Sequence, residues 1–359
     1  MTARVAVAMS GGVDSSVAAA ILKRKGLDVV GLTMRLWGSS RPENSKRCCG
    51  DRDLADARAV AGHLDIPFYV LDFQEEFQRE VVRPFALAYL QGRTPSPCIL
   101  CNREVKFGRL QSLAEQLGAT FLATGHYARV DREGEGERVR LRRGIDSGKD
   151  QSYFLFNLDQ RQLRSLMLPI GDRTKAEVRR LAEEWELPVA AKEESQDLCF
   201  VSEGGYRAVI DQVVPGAGGK CGEIVDSGGR VLGTHDGIER FTVGQRRGLG
   251  ISTEEPMYVI SLQPERNRVV VGLRRETRRS GLVAEGVNWI SFSRPPDSIE
   301  VTAKIRSRHP GAAARVRGGE GDRVHVEFRE PQTGIAPGQA VVFYDGEEVL
   351  GGGWIRSSC

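Results

Sequence analysis

The chain has 359 residues, 51 Lys and Arg against 48 Asp and Glu, and a formal net charge of +3. That length allows two or three domains with separate cores. A charge balance so near neutral makes no case for nucleic acid by itself, so any such case must rest on where the charges sit. No apolar run approaches the roughly 18 residues that a membrane span needs. Met1-Thr2-Ala3-Arg4 leads straight into an apolar strand, so no signal peptide is expected. The seven cysteines, Cys48, Cys49, Cys98, Cys101, Cys199, Cys221 and Cys359, are odd in number and scattered, which is no disulfide framework. In a cytoplasmic chain, the location expected here, thiols kept this way are more often catalytic or metal-binding.

The first predicted strand is Val5-Ala6-Val7-Ala8-Met9, followed at once by Ser10-Gly11-Gly12-Val13-Asp14-Ser15-Ser16. Gly11 and Gly12 let the backbone take positive φ and approach an anion. The helix that follows points its unsatisfied N–H groups at the same spot, and Ser10, Ser15 and Ser16 add hydroxyl donors. A plain strand-turn-helix corner explains the glycines but not three hydroxyls and an Asp gathered around them. The loop is therefore read as a pyrophosphate cradle, though not a Walker loop, which requires a Lys.

Beyond the loop the pattern alternates. A helix over 13–25 ends in Lys23-Arg24-Lys25-Gly26, a basic last turn with a glycine stop. A strand at 28–34, a helix at 51–64, a strand at 68–73, helices at 75–90 and 103–117 and a strand at 120–124 follow. Repeated β-α units imply a parallel sheet covered on both faces, with ligands at the carboxyl ends of its strands. Those ends carry the glycine loop, Met34 and Gly125-His126. A polar hairpin is expected at 130–144. Between 204 and 250 there are thirteen Gly and no clear helical period, so short strands such as 222–225 and 230–232 are expected there. Alternating segments at 301–306, 323–328 and 340–344 suggest an antiparallel barrel. The expected domains are therefore 1–204, 205–277 and 278–359.

Cys98-Ile99-Leu100-Cys101 places two thiols three apart at the start of a predicted helix. The helix N-terminus, with Arg103 and Lys106 one turn on, is expected to lower their pKa. A lone C-x-x-C serves as a redox pair, half a zinc site, a cluster ligand or a coincidence. Zinc needs two further ligands, for which Cys48 and Cys49 are candidates. Cys199 closes the polar run Glu193-Glu194-Ser195-Gln196-Asp197-Leu198. Lys304, Arg306 and Arg308 alternate with Val301, Ala303 and Ile305, which predicts one basic row on a strand face. Arg266, Arg268, Arg274, Arg275, Arg278 and Arg279 form a second basic group. Such rows position a folded RNA through its phosphates, although a solvated strand face has the same pattern. His126 is equally open between a core residue and a pocket residue.

The Ser-Gly-Gly-x-Asp-Ser loop resembles the PP-loop of enzymes that split ATP into AMP and pyrophosphate, a feature shared with GMP and argininosuccinate synthetases. Taken with Cys101-Asn102-Arg103-Glu104-Val105-Lys106-Phe107, Ala123-Thr124-Gly125-His126-Tyr127-Ala128-Arg129, Lys149-Asp150-Gln151-Ser152-Tyr153, the Cys199-Phe200 segment and Phe241-Thr242-Val243-Gly244-Gln245-Arg246-Arg247, the whole length is similar to bacterial tRNA-specific 2-thiouridylases. The resemblance implies an α/β PP-loop fold with a doubly wound parallel sheet, a small β-rich central domain and a C-terminal antiparallel β-barrel. It implies ATP, with Mg2+, on Ala8, Met9, Ser10, Gly11, Gly12, Val13, Asp14 and Ser15, with adenosine against Met34 and Gly125. It implies tRNA contacts from Ser96, Pro97, Cys98, His126, Lys149, Asp150, Gln151, Lys304, Arg306, Ser307, Arg308 and Gln339. The substrates would be the Lys, Glu and Gln acceptor tRNAs, and the sulfur donor a cysteine desulfurase or a relay protein, with no membrane partner.

By the same resemblance the wobble uridine, flipped from its stack, is adenylated on its C2 oxygen. Cys199 carries a persulfide, and Cys101 is the partner nucleophile that closes a transient disulfide with it. One departure stands out: many members have Asp where this chain has Cys98. The three thiols Cys98, Cys101 and Cys199 are the number that holds a [4Fe–4S] cluster with one iron open. Two other classes remain at this stage, a PP-loop ligase or amidotransferase acting on a small metabolite and a non-catalytic RNA-binding protein.

Overall fold

The structure, a computed structural model, describes residues 3–37, 51–132, 138–194, 198–201 and 205–359. Cys48, Cys49, Ser195, Gln196 and Asp197 lie outside the described residues. The chain forms two compact units. One comprises Met1–Val81, Cys98–Phe200 and Glu347–Val349, and the other Val82–Pro97, Val201–Gly346 and Leu350–Cys359.

The first unit is built on β1 (Arg4–Ala8), α1 (Val13–Arg24), β2 (Asp28–Arg35), α2 (Asp51–His63), β3 (Phe68–Asp72) and α3 (Gln74–Phe77). After a π-helical turn, Gln78–Val82, comes α4 (Arg83–Leu90), which belongs to the second unit. The cysteine helix follows as α5 (Pro97–Leu100), a π-helical stretch Cys101–Leu110 and α6 (Gln111–Gln116). It starts six residues earlier than its apolar period suggests, because Pro97 suits a first helical turn. Then come β4 (Phe121–Ala123), the hairpin β5 (Ala128–Asp131) and β6 (Arg140–Arg143), α7 (Gln160–Arg164), β7 (Leu166–Met167) and α8 (Lys175–Glu184).

The expected parallel sheet is present, in the order β3-β2-β1-β4-β7. Val5, Val7 and Met9 pack with Ala19, Leu22, Val29 and Ala57 into one fully buried cluster. The chain leaves β1 toward β2 and β3 and returns on the other side at β4. The switch point therefore lies between the carboxyl ends of β1 and β4, where open α/β sheets bind ligands.

In the second unit, residues 205–213 form a helix, α9 (Gly205–Val213), where short strands were expected. Val209 and Ile210 are its buried stripe, and the glycines that hid its period lie almost entirely beyond it. Four strands, β8 (Gly222–Asp226), β9 (Val231–His235), β10 (Met257–Gln263) and β11 (Arg268–Leu273), form a sheet in the order β10-β11-β8-β9. Six more build the barrel: β12 (Arg278–Trp289), β13 (Ser298–Lys304), β14 (Ala312–Gly318), β15 (Val324–Thr333), β16 (Ala340–Asp345) and β17 (Glu348–Ser358). Their order β12-β15-β14-β13-β16-β17 closes through pairing of β12 with β17, which removes exposed sheet edges. Alternate residues Leu282, Ala284, Val301, Ala303, Val326 and Phe328 fill its interior.

Candidate functional site

The glycine loop sits where the sheet topology places ligands. Gly11 has φ +72°, and a Cβ there would lie 2.2 Å from the Asp53 carbonyl oxygen, so only glycine lets the loop press against α2. Gly125 is equally constrained from the other side: its Cβ would stand 2.6 Å from the backbone of Asp14 and Ser15. Gly12 caps α1 in an extended conformation with no side chain bonded to the helix end. Among the described residues the first N–H groups of α1 therefore have no capping side chain, which leaves them to an anion.

The serines divide their work. Ser15 Oγ donates to the Gly12 carbonyl at 3.1 Å and lies 3.2 Å from both the backbone nitrogen and Oγ of Ser10. Ser16 Oγ donates to the same carbonyl at 2.8 Å and is fully buried, so it braces the turn and is no phosphate donor. That corrects the expectation of three ligand hydroxyls. Ser10 is exposed at the loop crest.

Asp14 is the hub of a charged network. Tyr127 Oη donates to Asp14 Oδ1 at 2.8 Å, and Lys175 Nζ lies 2.7 Å from the same oxygen. Burial, and then the Asp14 carboxylate, push the Tyr127 hydroxyl well above its ordinary pKa, which fixes it as a donor. Lys175 also pairs with Glu194 at 2.7 Å, and Glu194 pairs with Lys149 at 2.6 Å. Burial works against the ionised form of Glu194, but the hydrogen bonds from Lys149 and Lys175 outweigh it and hold the carboxyl at about 2. On the other flank, Lys192 Nζ donates to the Gly11 carbonyl at 2.9 Å and pairs with Asp53 and Asp56. Tyr127, Lys175, Lys192 and Glu194 escaped sequence reading. One signal existed: Thr174-Lys175-Ala176-Glu177 is a capping box, and both its hydrogen bonds form at the start of α8.

The thiols differ from expectation. Cys98 reaches solvent yet is hemmed in by protein; that burial, then the neighbouring Cys101, raises its pKa to about 11 despite Lys106. Burial raises the Cys101 thiol likewise, again outweighing Lys106. The predicted lowering fails because desolvation of a thiolate exceeds what a nearby ammonium returns. Cys101 opens the π-helical stretch, whose wide turns free backbone carbonyls. Gln162 Nε2 donates to two of them, Arg103 and Phe107, each at 2.9 Å. Asn102 and Arg103 tie the same stretch to Phe154 and Asn157. Cys199 is half-buried beside Phe200, whose ring packs edge-on against Phe77 at 5.6 Å. Among the described residues no three His, Cys, Asp or Glu side chains stand together as a metal-binding group. Cys98, Cys101 and Cys199 are thus not gathered for a cluster, and the chain does not fit that group as it stands.

The RNA candidates separate as well. Lys149 is accessible on the Glu194 network, but Asp150 is turned inward, accepting from the backbone of Gly144 and Ser152. Gln151 accepts from the Tyr127 backbone at 2.9 Å. His126 Nδ1 meets Thr124 Oγ1 at 2.7 Å, and burial, with Lys106, keeps the ring neutral by lowering its pKa well below the usual value. Met34 is partly buried at the end of β2.

In the second unit Ser96 is buried, and Gln339 Nε2 donates to the carbonyls of Thr94 and Pro95 just before Pro97. The basic row is not one exposed strand face. Lys304, the last residue of β13, is buried with its ammonium 6.0 Å from the Tyr344 ring, whereas Arg306, Ser307 and Arg308 are exposed in the turn beyond the strand. Arg306 and Arg274 line a cavity of about 470 Å³ with Tyr258, Thr277 and Thr333.

Domain profiles match in chain order: a tRNA methyl transferase HUP domain at 3–203, a tRNA methyl transferase PRC-barrel domain at 209–273 and an aminomethyltransferase beta-barrel domain at 279–355. The class is thus a HUP-domain protein extended by two β modules. A tRNA-specific 2-thiouridylase MnmA of Geobacter metallireducens is 51% identical over 360 residues, covering 99% of this chain and 97% of the relative. One from Moorella thermoacetica is 50% identical over 358 residues, covering 98% and 99%. The chain belongs to the tRNA-specific 2-thiouridylase family.

Proposed function

We propose that this protein is an ATP-dependent tRNA sulfurtransferase that converts the wobble uridine to 2-thiouridine. The observation that carries the reading is the finished glycine loop at the sheet's switch point, in a chain of this family that also holds Cys101 and Cys199. ATP lies with its phosphates on the loop residues from Ala8 to Ser15 and its adenosine toward Met34 and Gly125, and Asp14 is the loop carboxylate that would hold an accompanying Mg2+, which would neutralise phosphate charge. The uridine C2 oxygen attacks the α-phosphorus, and the α–β bond breaks with its electron pair leaving on pyrophosphate. A carbonyl oxygen is a poor leaving group, but as an AMP ester it departs readily.

The terminal sulfur of a Cys199 persulfide then bonds to C2 and AMP leaves. Attack of the Cys101 thiolate on Cys199 Sγ breaks the S–S bond, leaves its electron pair on the uridine sulfur and closes a disulfide that an external thiol reductant resets. Thiols with raised pKa fit a site that stays unreactive until RNA and nucleotide arrive. The persulfide route needs only two thiols, which favours it over a cluster on Cys98, Cys101 and Cys199. Arg306, Ser307, Arg308 and the cavity beside Arg274 offer phosphate contacts to the tRNA from the second unit, to which Ser96 and Pro97 also belong, and Lys149, His126 and Cys98 serve the nucleoside from the first. A cysteine desulfurase or relay protein supplies the sulfur in the cytoplasm, and the Lys, Glu and Gln acceptors are the expected tRNAs. The domains are 1–204, 205–277 and 278–359.

The test is pyrophosphate release with and without tRNA, followed by nucleoside analysis of the RNA. Release that depends on tRNA and yields 2-thiouridine is expected. Release without tRNA would favour a metabolite ligase, and no release a binding protein.

A further inference from the structure

The glycine loop lacks the lysine that many phosphate loops carry within themselves, yet an ammonium stands beside it. We propose that Lys175 supplies the phosphate-facing charge that the loop lacks, parked on Asp14 and Glu194 until the β- and γ-phosphates of ATP draw it off. The proposal rests on reading the loop as an ATP cradle.

Two lysines approach the loop, and they are not alike. Lys192 has an acceptor for each of its three N–H bonds, namely Asp53, Asp56 and the Gly11 carbonyl, so it is a structural brace. Lys175 has two carboxylate partners, Asp14 and Glu194, each at 2.7 Å. Its ammonium also lies 5.9 Å from the Tyr127 ring centre, and among the described residues its third N–H has no hydrogen-bond acceptor, which leaves it for a phosphate oxygen. Its side chain is 12% exposed and springs from the first residue of α8, whose backbone is fixed by the Thr174 capping box and by the Asp146 carboxylate at 2.9 Å. The stem is therefore anchored and only the tip need swing.

Moving the tip leaves no carboxylate without a partner. Asp14 keeps the Tyr127 hydroxyl at 2.8 Å, and Glu194 keeps Lys149 at 2.6 Å. An ammonium whose departure orphans nothing moves at low cost, unlike one whose loss would strand a charge. In the adenylation step the electron pair of the breaking α–β bond goes to pyrophosphate. A cation already at the β- and γ-phosphates stabilises that charge as it develops.

The experiment measures equilibrium binding of ATP, inorganic pyrophosphate and AMP, each with magnesium chloride, to the full chain and to Lys175→Gln, Lys175→Arg and Glu194→Gln. Lys175→Gln is expected to weaken ATP and pyrophosphate about 10- to 100-fold, the range of a charge-assisted hydrogen bond, while AMP changes less than about twofold. Lys175→Arg should restore most of the loss. Glu194→Gln, which frees the ammonium from one carboxylate, should tighten pyrophosphate by about two- to fivefold. Equal losses for AMP and pyrophosphate in Lys175→Gln, or weaker pyrophosphate binding in Glu194→Gln, would overturn the proposal. If the unaltered protein bound none of the three ligands, the ATP reading itself would fall, whereas ATP binding that ignored Lys175→Gln would remove only this inference.

Discussion

The proposed reaction draws on two regions of the first unit, and they are prepared to different degrees. At the glycine loop the partners are in place: Ser16 and Ser15 on the Gly12 carbonyl, Lys192 on the Gly11 carbonyl, Tyr127 and Lys175 on Asp14. At the cysteine helix the backbone is equally well held, by Gln162, but the thiols are protonated and not gathered with Cys199 into a metal-binding group. The difference has a physical origin. A phosphate cradle gains from rigidity because its donors must not reorganise as charge develops. A thiolate exposed before its substrate arrives is open to oxidation and futile exchange.

The sharpest way to break this contrast is to remove one chemistry and ask whether the other survives. Cys199→Ala and Cys101→Ala should each lower 2-thiouridine formation at least about a thousandfold, since a nucleophile has no substitute. ATP binding should stay within about twofold. Loss of ATP binding in either variant would mean that the two regions are one structural device.

A second test strikes the rigid side. Gly11→Ala forces a Cβ onto the Asp53 carbonyl in a backbone conformation alanine resists. It should destabilise the protein by about 3 kcal/mol in a denaturant titration. A variant as stable as the parent would show that the loop is looser than its contacts imply.

The protonated state of the thiols is open to direct measurement. With its pKa near 11, Cys98 should carry about one thiolate in a thousand at pH 8, and its alkylation by iodoacetamide should rise about tenfold per pH unit up to pH 10. A plateau below pH 9, followed by peptide mass spectrometry, would place the anion within ordinary reach and erase the contrast.

The smallest effect concerns RNA docking. Neutralising Arg306 and Arg308 together should reduce the slope of log affinity against log salt by about 1 to 2, for two lost phosphate contacts. Lys304→Gln, at a buried position, should lower stability and leave that slope unchanged. A slope change from Lys304→Gln would return it to the RNA-facing row.

Much of this was readable from the chain. The glycine loop announces itself because turn, hydroxyls and helix start are contiguous, and the parallel sheet follows from the alternation of apolar runs. What eluded reading depends on distance in sequence. Lys175 reaches Asp14 across 161 positions, and Tyr127 across 113. No local pattern marks either encounter. The thiol pKa values were misjudged because charge is visible in a sequence whereas burial is not. Lys304 and Arg306 share a parity, yet β13 ends between them, so alternation stopped being a guide one residue too late. Helix α9 was hidden by averaging its composition with the glycines that follow.

The wide turns between Cys101 and Leu110 have a geometric consequence for the aim of the thiol. Each residue added to or removed from an α-helix rotates everything before it by on the order of 100° about the axis. Gln162 grips this stretch at two carbonyls, so its turns cannot relax to the tighter winding without breaking that clasp. The direction in which Cys101 points is thus written in the number of residues between it and Gln111. Deleting one would turn the sulfur to another face of the helix while leaving every side chain of the site in the protein, a change of bearing and not of chemistry.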